Sequence, residues 1–274
     1  MAKGGGAVMT NGNHNKTAII TGGAGGLGLA LDAGLRQAGW STVLIDLPGP
    51  ALAALPAVKG RQVIGCDLTD AAAMGTLCEQ IRDDHGSIDL VVYNAGITWI
   101  GVCADLSPEA HRKVFDINYF AATEMAQALL GDLRRAKGAH LAISSVAGFS
   151  PLLHRTAYAA SKHALEGFFK SLRCEEKPYG VRVVIAAPSF VATNIGRSEA
   201  KTNGIARPGS AVDGVDYMTP EEAAAEILKG LKRGKSVIPV GRVARLSWII
   251  NRVSPGLFEW LMQRKIGAGP AKEQ

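Results

Sequence analysis

No stretch of this sequence approaches the roughly 18 consecutive apolar residues of a conventional helical membrane span. The first residues, Met1 to Lys16, are rich in Gly and Asn and lack the apolar core of a secretion signal, so 1–15 reads as a flexible leader. Cysteine is scarce: Cys66, Cys78, Cys103 and Cys174 are scattered, with no C-x-x-C pair and no metal-ligand spacing. That pattern excludes a disulfide scaffold and a cysteine-held metal, and it points to reduced thiols in a cytoplasmic compartment. Acids are almost missing from one region. Between Lys229 and Lys265 nine Lys/Arg stand against one acid, Glu259, whereas the whole chain carries only +6. The basicity is therefore a C-terminal property, remote from the motifs below, and no nucleic-acid partner is expected.

What is present is material for a large core, 47% hydrophobic residues in a chain of 274, compatible with one α/β domain. From Lys16 onward strand-like runs alternate with helical stretches, the pattern of parallel βαβ units. The runs are Thr17 to Thr21, Thr42 to Asp46, Gln62 to Cys66, Asp89 to Tyr93, His140 to Ser144, Val181 to Ala186 and Ser236 to Pro239. Most are continuously apolar, as strands covered on both faces should be.

The stretch Thr21 to Gly28, T-G-G-A-G-G-L-G, holds five glycines in eight residues directly after the first run. Such a turn lets backbone N–H groups approach a pyrophosphate, and the following helix presents its positive dipole end to the anion. The helix is expected over Leu27 to Ala38, with Leu27, Leu31 and Leu35 on one face. Gly23, Gly25 and Gly28 satisfy one fingerprint spacing; Gly22, Gly26 and Gly28 satisfy another. Context decides for a dinucleotide cradle: a strand precedes the turn, a helix follows it, and Asp46 closes the next strand about 20 residues on, where a carboxylate holds the adenosine ribose. The expected fold is α/β, a Rossmann-type doubly wound sheet of about seven parallel strands in a single domain. It spans 16–240, with 241–274 as a helical extension of the same domain.

In such a sheet ligands bind beyond the carboxyl ends of the strands. Those ends carry Asp67-Leu68-Thr69, Asn94-Ala95-Gly96-Ile97, Ser144-Ser145 and Pro188 to Thr193. Each alone also reads as a turn or an N-cap; together they ring one crevice. Asp67 can accept from an adenine amino group, and Asn94, Ala95 and Gly96 offer small or hydrogen-bonding groups beside the dinucleotide. The sharpest chemical signal is Tyr158-Ala159-Ala160-Ser161-Lys162, 13 residues after Ser145. Tyr and Lys four apart share a helix face, and an ammonium near a phenol favours the phenolate and lowers its pKa.

The segment from about Lys16 to Lys235 resembles the short-chain dehydrogenase/reductase family. The matching pieces are T-G-x-x-x-G-x-G at Thr21 to Gly28, Asp67, N-A-G at Asn94 to Gly96, Asn118 within Asp116-Ile117-Asn118, Ser145, Tyr158 with Lys162, and P-x-x-V-x-T at Pro188 to Thr193. Ser189 departs from the glycine usual after that proline. The resemblance implies an oxidoreductase in which Tyr158 is the general acid/base. Lys162 would lower its pKa and hold the nicotinamide ribose, Ser145 would orient the reacting oxygen, and Asn118 would hold a water linking Lys162 to solvent. Cofactor contacts are implied for Gly22, Gly26, Leu27, Gly28, Asp46, Asp67, Leu68, Asn94, Ala95, Gly96, Tyr158, Lys162, Pro188 and Val191, with Thr193 on the carboxamide. It also implies a homodimer or homotetramer that pairs the long helices near Phe120 and Lys162, and a substrate lid at 194–218.

Asp46 favours NAD over NADP, because a 2′-phosphate would face it at close range and no basic residue occupies Gly25 or Leu47. The residues expected around the substrate are Ile97, Thr98, Trp99, Leu153, His154, Phe190 and Ile195, which favours a hydrophobic secondary alcohol or ketone of steroid, retinoid or lipid type. An NADPH-linked carbonyl reductase and a non-catalytic dinucleotide sensor are the alternatives. Thr219-Pro220-Glu221-Glu222 is a capping box with proline at the first helical position. Beyond it, Gly241 to Ile266 mixes Trp248, Ile249, Trp260 and other apolar residues with arginines, and Ser254-Pro255 divides two short helices. These helices fit peripheral contact with an anionic membrane surface, or cover for the pocket or a subunit interface.

Overall fold

The computed structural model describes residues 16–192, 205–206 and 217–266. The leader at 1–15, Thr193, Ile195 and most of the expected lid lie outside the described residues. The strands are β1 (Thr17–Thr21), β2 (Ser41–Asp46), β3 (Arg61–Gly65), β4 (Leu90–Tyr93), β5 (Thr98–Trp99), β6 (Ala139–Ile143), β7 (Arg182–Pro188), β8 (Ile205–Ala206) and β9 (Val237–Val240). The helices are α1 (Gly26–Gln37), α2 (Pro50–Ala53), α3 (Ala71–Asp84), α4 (Pro108–Phe115), α5 (Ala121–Ala128), α6 (Leu130–Ala136), α7 (Thr156–Glu176), α8 (Pro220–Lys232), α9 (Arg242–Val253) and α10 (Pro255–Ile266).

Seven strands form one sheet in the order β3-β2-β1-β4-β6-β7-β9, with every neighbouring pair parallel. The inner strands β1, β2, β4, β6 and β7 carry nearly continuous apolar runs because both of their faces are covered, whereas the edge strand β3 is partly exposed. Ile19 joins Val43, Val91, Met125 and Phe169 on the face of α3, α5 and α7. Its neighbour Ile20 joins Leu44, Leu141, Leu31 and Ile227 on the face of α1 and α8, as the alternation of a strand demands. This is the expected Rossmann-type sheet, with β1 at the bounds read in the sequence and the other strands within two residues of theirs.

The order places the functional crevice. From β1 the chain winds outward through β2 and β3, then returns to lay β4 on the other side of β1 and winds away through β6, β7 and β9. The sense of winding reverses between β1 and β4, and a doubly wound sheet opens its ligand crevice at such a reversal. The carboxyl ends that flank it are Thr21-Gly22 and Asn94-Ala95.

The Thr219–Glu222 capping box closes as expected, with the Glu222 amide donating to Thr219 Oγ1 (3.1 Å) and the Thr219 amide to Glu222 Oε2 (3.0 Å). Ser254 separates α9 from α10, again as expected. One element was not anticipated. β5 pairs antiparallel with β8 as a separate two-stranded sheet, tying Trp99 to Ile205 inside the expected lid segment.

Candidate active site

The glycine turn is fixed from both flanks of the crevice. The Thr21 hydroxyl donates to the Val92 carbonyl (3.3 Å) and accepts from the amides of Asn94 and Ala95 (3.0 Å each). The Asn94 side-chain amide donates to the carbonyls of Thr21 (3.0 Å) and Gly22 (3.1 Å). Asn94 therefore clamps the turn with its amide. A Cβ on Gly28 would stand 2.3 Å from the Gly22 carbonyl oxygen, so glycine is what lets α1 start directly against the turn. The helix opens at Gly26 with no side-chain cap and no acid in its first turn, leaving the amides of Gly26, Leu27 and Gly28 and the positive dipole end for an outside anion.

Asp46, at the end of β2, reaches this turn. Its Oδ2 accepts the Ala24 amide (2.8 Å) and its Oδ1 the Leu47 amide (2.8 Å). The carboxylate is thus held beside the anion-binding end of α1. Asp67 follows β3 as an exposed residue whose Oδ1 accepts from the Thr69 amide and hydroxyl, and these bonds hold its carboxyl below the usual range. Leu68 is buried, and with Thr21 and Ala95 it lines a small cavity under the crevice. These features accommodate a dinucleotide: bare helix amides for its pyrophosphate and a placed carboxylate for its ribose.

Across the crevice lies a second cluster. Asn118 sits in a π-helical turn, Asp116–Phe120, between α4 and α5. Its Oδ1 accepts the Ile97 amide (2.8 Å), and its Nδ2 donates to the Ile97 carbonyl (2.9 Å) and Ser161 Oγ (2.9 Å). Both amide hydrogens are committed, so the side chain acts as a brace between the loop after β4 and α7. Gly96 permits the contact, since a Cβ there would lie 3.1 Å from Asn118 Oδ1 and 3.6 Å from Lys162 Nζ.

Tyr158 and Lys162 lie one turn apart on α7, both buried. The Tyr158 phenol is hydrogen-bonded to Ser145, which also caps the short turn Val146–Gly148 by accepting the Ala147 amide (3.2 Å). Lys162 Nζ donates to the Ile143 carbonyl at the end of β6 (2.8 Å) and lies 5.8 Å from the Tyr158 ring centroid. Burial pushes the Lys162 ammonium down to about 8, opposed by the charge of Glu166. Burial also pushes the Tyr158 phenol up, opposed by Ser145 and by the charge of Arg155. In this geometry desolvation outweighs the depression of Tyr158 that the sequence spacing suggested, and Lys162 addresses the backbone of β6.

One polar residue behind the cluster was missed in the sequence. Glu166, the next turn of α7, is buried and accepts from Ser144 Oγ (2.9 Å) and Lys170 Nζ (2.6 Å). It joins the residue before Ser145 to the helix of Tyr158. Its i+4 spacing from Lys162 was the available signal. Thr21 was read as part of the motif but given no bond to make.

Pro188 ends β7 opposite Val240, and the Ser189 amide continues that ladder to the Val240 carbonyl (3.3 Å), so serine in place of glycine leaves the pairing intact. Val191 is buried and bridges Met218. Phe190 meets Tyr217 in a tilted ring contact at 5.8 Å, whereas Trp99 packs under α7 with Ala110, Val114 and Ala157 and so lines the core instead of the crevice. His154 is exposed, in the left-handed region at φ +57°.

A family profile described as short chain dehydrogenase matches residues 16–204. The chain is 32% identical over 267 residues to a bovine (Bos taurus) dehydrogenase/reductase SDR family member 7B, covering 91% of this chain and 81% of that one. A solved short-chain dehydrogenase from Streptomyces avermitilis superposes with a TM-score of 0.75 at 26% identity, over 90% of this chain and 97% of that one. One from Burkholderia cenocepacia, in complex with NADP, shares the fold with a TM-score of 0.78 at 20% identity, over 94% and 99%. The glycine turn at the β1–β4 reversal and the Ser145, Tyr158 and Lys162 cluster facing it thus agree with the family match, and the chain belongs to the short-chain dehydrogenase/reductase family of oxidoreductases.

Proposed function

We propose that this protein is an NAD(H)-dependent oxidoreductase that interconverts a secondary alcohol and a ketone on a hydrophobic small molecule. The observation that carries this reading is the buried Tyr158 phenol, hydrogen-bonded to Ser145 and one helical turn from Lys162, across the crevice from an uncapped helix start. When bound, a nicotinamide dinucleotide supplies or accepts the hydride. Gly22, Gly26, Leu27 and Gly28 would hold its pyrophosphate, Asp46 its adenosine ribose, and Asp67, Leu68, Asn94, Ala95 and Gly96 the flank of the crevice, with Pro188, Val191 and Thr193 at its far end. In alcohol oxidation Ser145 orients the substrate oxygen and Tyr158 takes the hydroxyl proton; in reduction Tyr158 returns it to the carbonyl oxygen. Lys162 stabilises the phenolate, and Asn118 positions Lys162 through Ser161.

Asp46 supports NAD over NADP. Its carboxylate is pinned by two amides beside the anion site, and a 2′-phosphate there would meet a fixed negative charge. Steady-state assays should give kcat/KM for NADH at least about tenfold above NADPH, the size of a 1.4 kcal/mol difference. The reverse preference would exclude this coenzyme and favour the NADPH-linked reading. The apolar side chains of Ile97 and Phe190 next to the strand ends support an apolar substrate. A panel of secondary alcohols graded in size, assayed by NAD reduction, tests this: turnover of only small polar alcohols refutes it.

We also propose a homodimer or homotetramer, supported by exposed Phe120, whose ring stands in an edge-on cluster with Tyr119, itself packed on Phe168 of α7. Sedimentation as a monomer would contradict it. A reducing, cytoplasmic location is supported by four free cysteines, two of them buried.

A further inference from the structure

Five of the nine large apolar side chains exposed among the described residues fall within α9 and α10: Leu246, Ile249, Val253, Leu257 and Trp260, between 47% and 81% exposed. That density sets this surface apart from the rest of the described surface. Leu246, Ile249 and Val253 recur at i, i+3 and i+7, and Leu257, Trp260 and Arg264 repeat the same spacing in α10. The opposite sides of the two helices are engaged: Ala244, Ser247, Phe258 and Met262 are buried, and Asn251 Nδ2 donates to the Phe149 carbonyl. The helices are anchored, and their outer stripe is apolar.

The stripe is edged with arginine. Arg242 stands one turn before Leu246 on the same face, and Arg245 and Arg252 border Ile249. Arg245 is paired with Glu226, while the Arg252 and Arg264 guanidiniums lie over Trp248 (3.9 Å) and Trp260 (4.2 Å), away from any acid among the described ion pairs. We propose that α9 and α10 form a docking surface for an anionic lipid bilayer, the apolar stripe entering the headgroup boundary and Arg242, Arg252 and Arg264 meeting lipid phosphates and carboxylates.

Charge selects this occupant. A two-fold contact with a second copy would set the same patch against itself and bring like-charged arginines together, with Glu259 the one acid in the two helices. A bilayer takes the same apolar side chains and supplies the missing negative charge, while the arginine stems lie along apolar surface and keep their heads at the interface.

Flotation of the full chain with phosphatidylcholine vesicles, with and without about one-third phosphatidylserine, tests the proposal. Binding is expected with the anionic vesicles, and it should fall steeply as salt shortens the screening length. Arg242→Gln with Arg264→Gln should weaken partition by about 25-fold, roughly fivefold for each charge removed. Ile249→Ser with Val253→Ser should abolish it while leaving coenzyme affinity unchanged, which shows that the fold survives. Absence of binding to either vesicle, or equal binding to both, would overturn the proposal. So would a self-associated form that Ile249→Ser with Val253→Ser dissociates, because the patch would then belong to a second copy.

Discussion

Tyr158→Phe is expected to lower kcat/KM for alcohol oxidation by about 10²- to 10⁴-fold, the usual contribution of a positioned acid or base, while NADH affinity measured by fluorescence stays within about twofold. The substitution keeps the buried ring beside Lys162 and removes only the oxygen bonded to Ser145. It therefore separates proton transfer from coenzyme binding. The pH dependence follows from the same geometry. Burial raises the Tyr158 phenol, so near neutrality the residue is the acid form, which is the form that carbonyl reduction consumes. Alcohol oxidation needs the phenolate and should rise with pH, whereas reduction should fall as pH rises. Lys162, pushed down to about 8, loses its charge as pH rises past that value, so the oxidation profile should bend over there as the ammonium that favours the phenolate disappears. Tyr158→Phe should show neither limb. A variant that keeps more than about a tenth of wild-type activity would remove Tyr158 from the role of acid/base. Equal inactivity of both proteins across the panel, with NADH still bound, would instead favour the sensor reading.

The inner strands of the sheet were legible because strands covered on both faces must be largely apolar, and such runs stand out against amphipathic helices. The two-stranded pairing of Thr98–Trp99 with Ile205–Ala206 was not, because it joins two dipeptides about a hundred residues apart and no local pattern announces that. The glycine turn was legible as an anion site, but Gly28 turned out to be required by the Gly22 carbonyl beneath it. Sequence spacing located Asn94 without showing that its amide is committed to the two carbonyls that shape the turn. Buried charges were the least legible of all. Glu166 and Asp32 sit in helices as polar residues, and only the fold reveals that Ser144 and Lys170 satisfy the one, and Thr42, Arg36 and Arg61 the other. Whether a carboxylate can be buried depends on partners from other elements, which hydrophobic periodicity does not record.

His140 is the buried group whose partners fall short. It lies in β6 on the face packed by α7, fully buried, with Nδ1 2.7 Å from the Tyr93 hydroxyl and no partner for Nε2. A neutral imidazole tolerates this arrangement; an imidazolium needs two acceptors, and Tyr93 is the one available. Burial therefore pushes His140 from 6.5 down to about 4, opposed only weakly by Glu176, whose carboxylate is engaged by Arg134. The sign of the linkage is fixed: between these two values the unfolded chain binds a proton that the folded protein refuses. The His140 contribution to stability is complete above pH 6.5 and is lost as pH falls to about 4. The loss amounts to roughly 3 kcal/mol, a large part of the about 5–15 kcal/mol that holds a domain together. Urea titrations at successive pH values should show the wild type losing stability steeply over this window. His140→Asn keeps a hydrogen-bonding atom near the Nδ1 position but cannot titrate. It should start less stable at neutral pH, because the smaller side chain leaves a cavity, and then lose less on acidification, so the two curves converge toward pH 4. Carboxylates such as Asp67, held below its usual range, add an acid dependence common to both proteins and cancel in the difference. Parallel curves would show that the folded protein accepts the proton on His140, and that the Tyr93 pair is not the site through which acid weakens this fold.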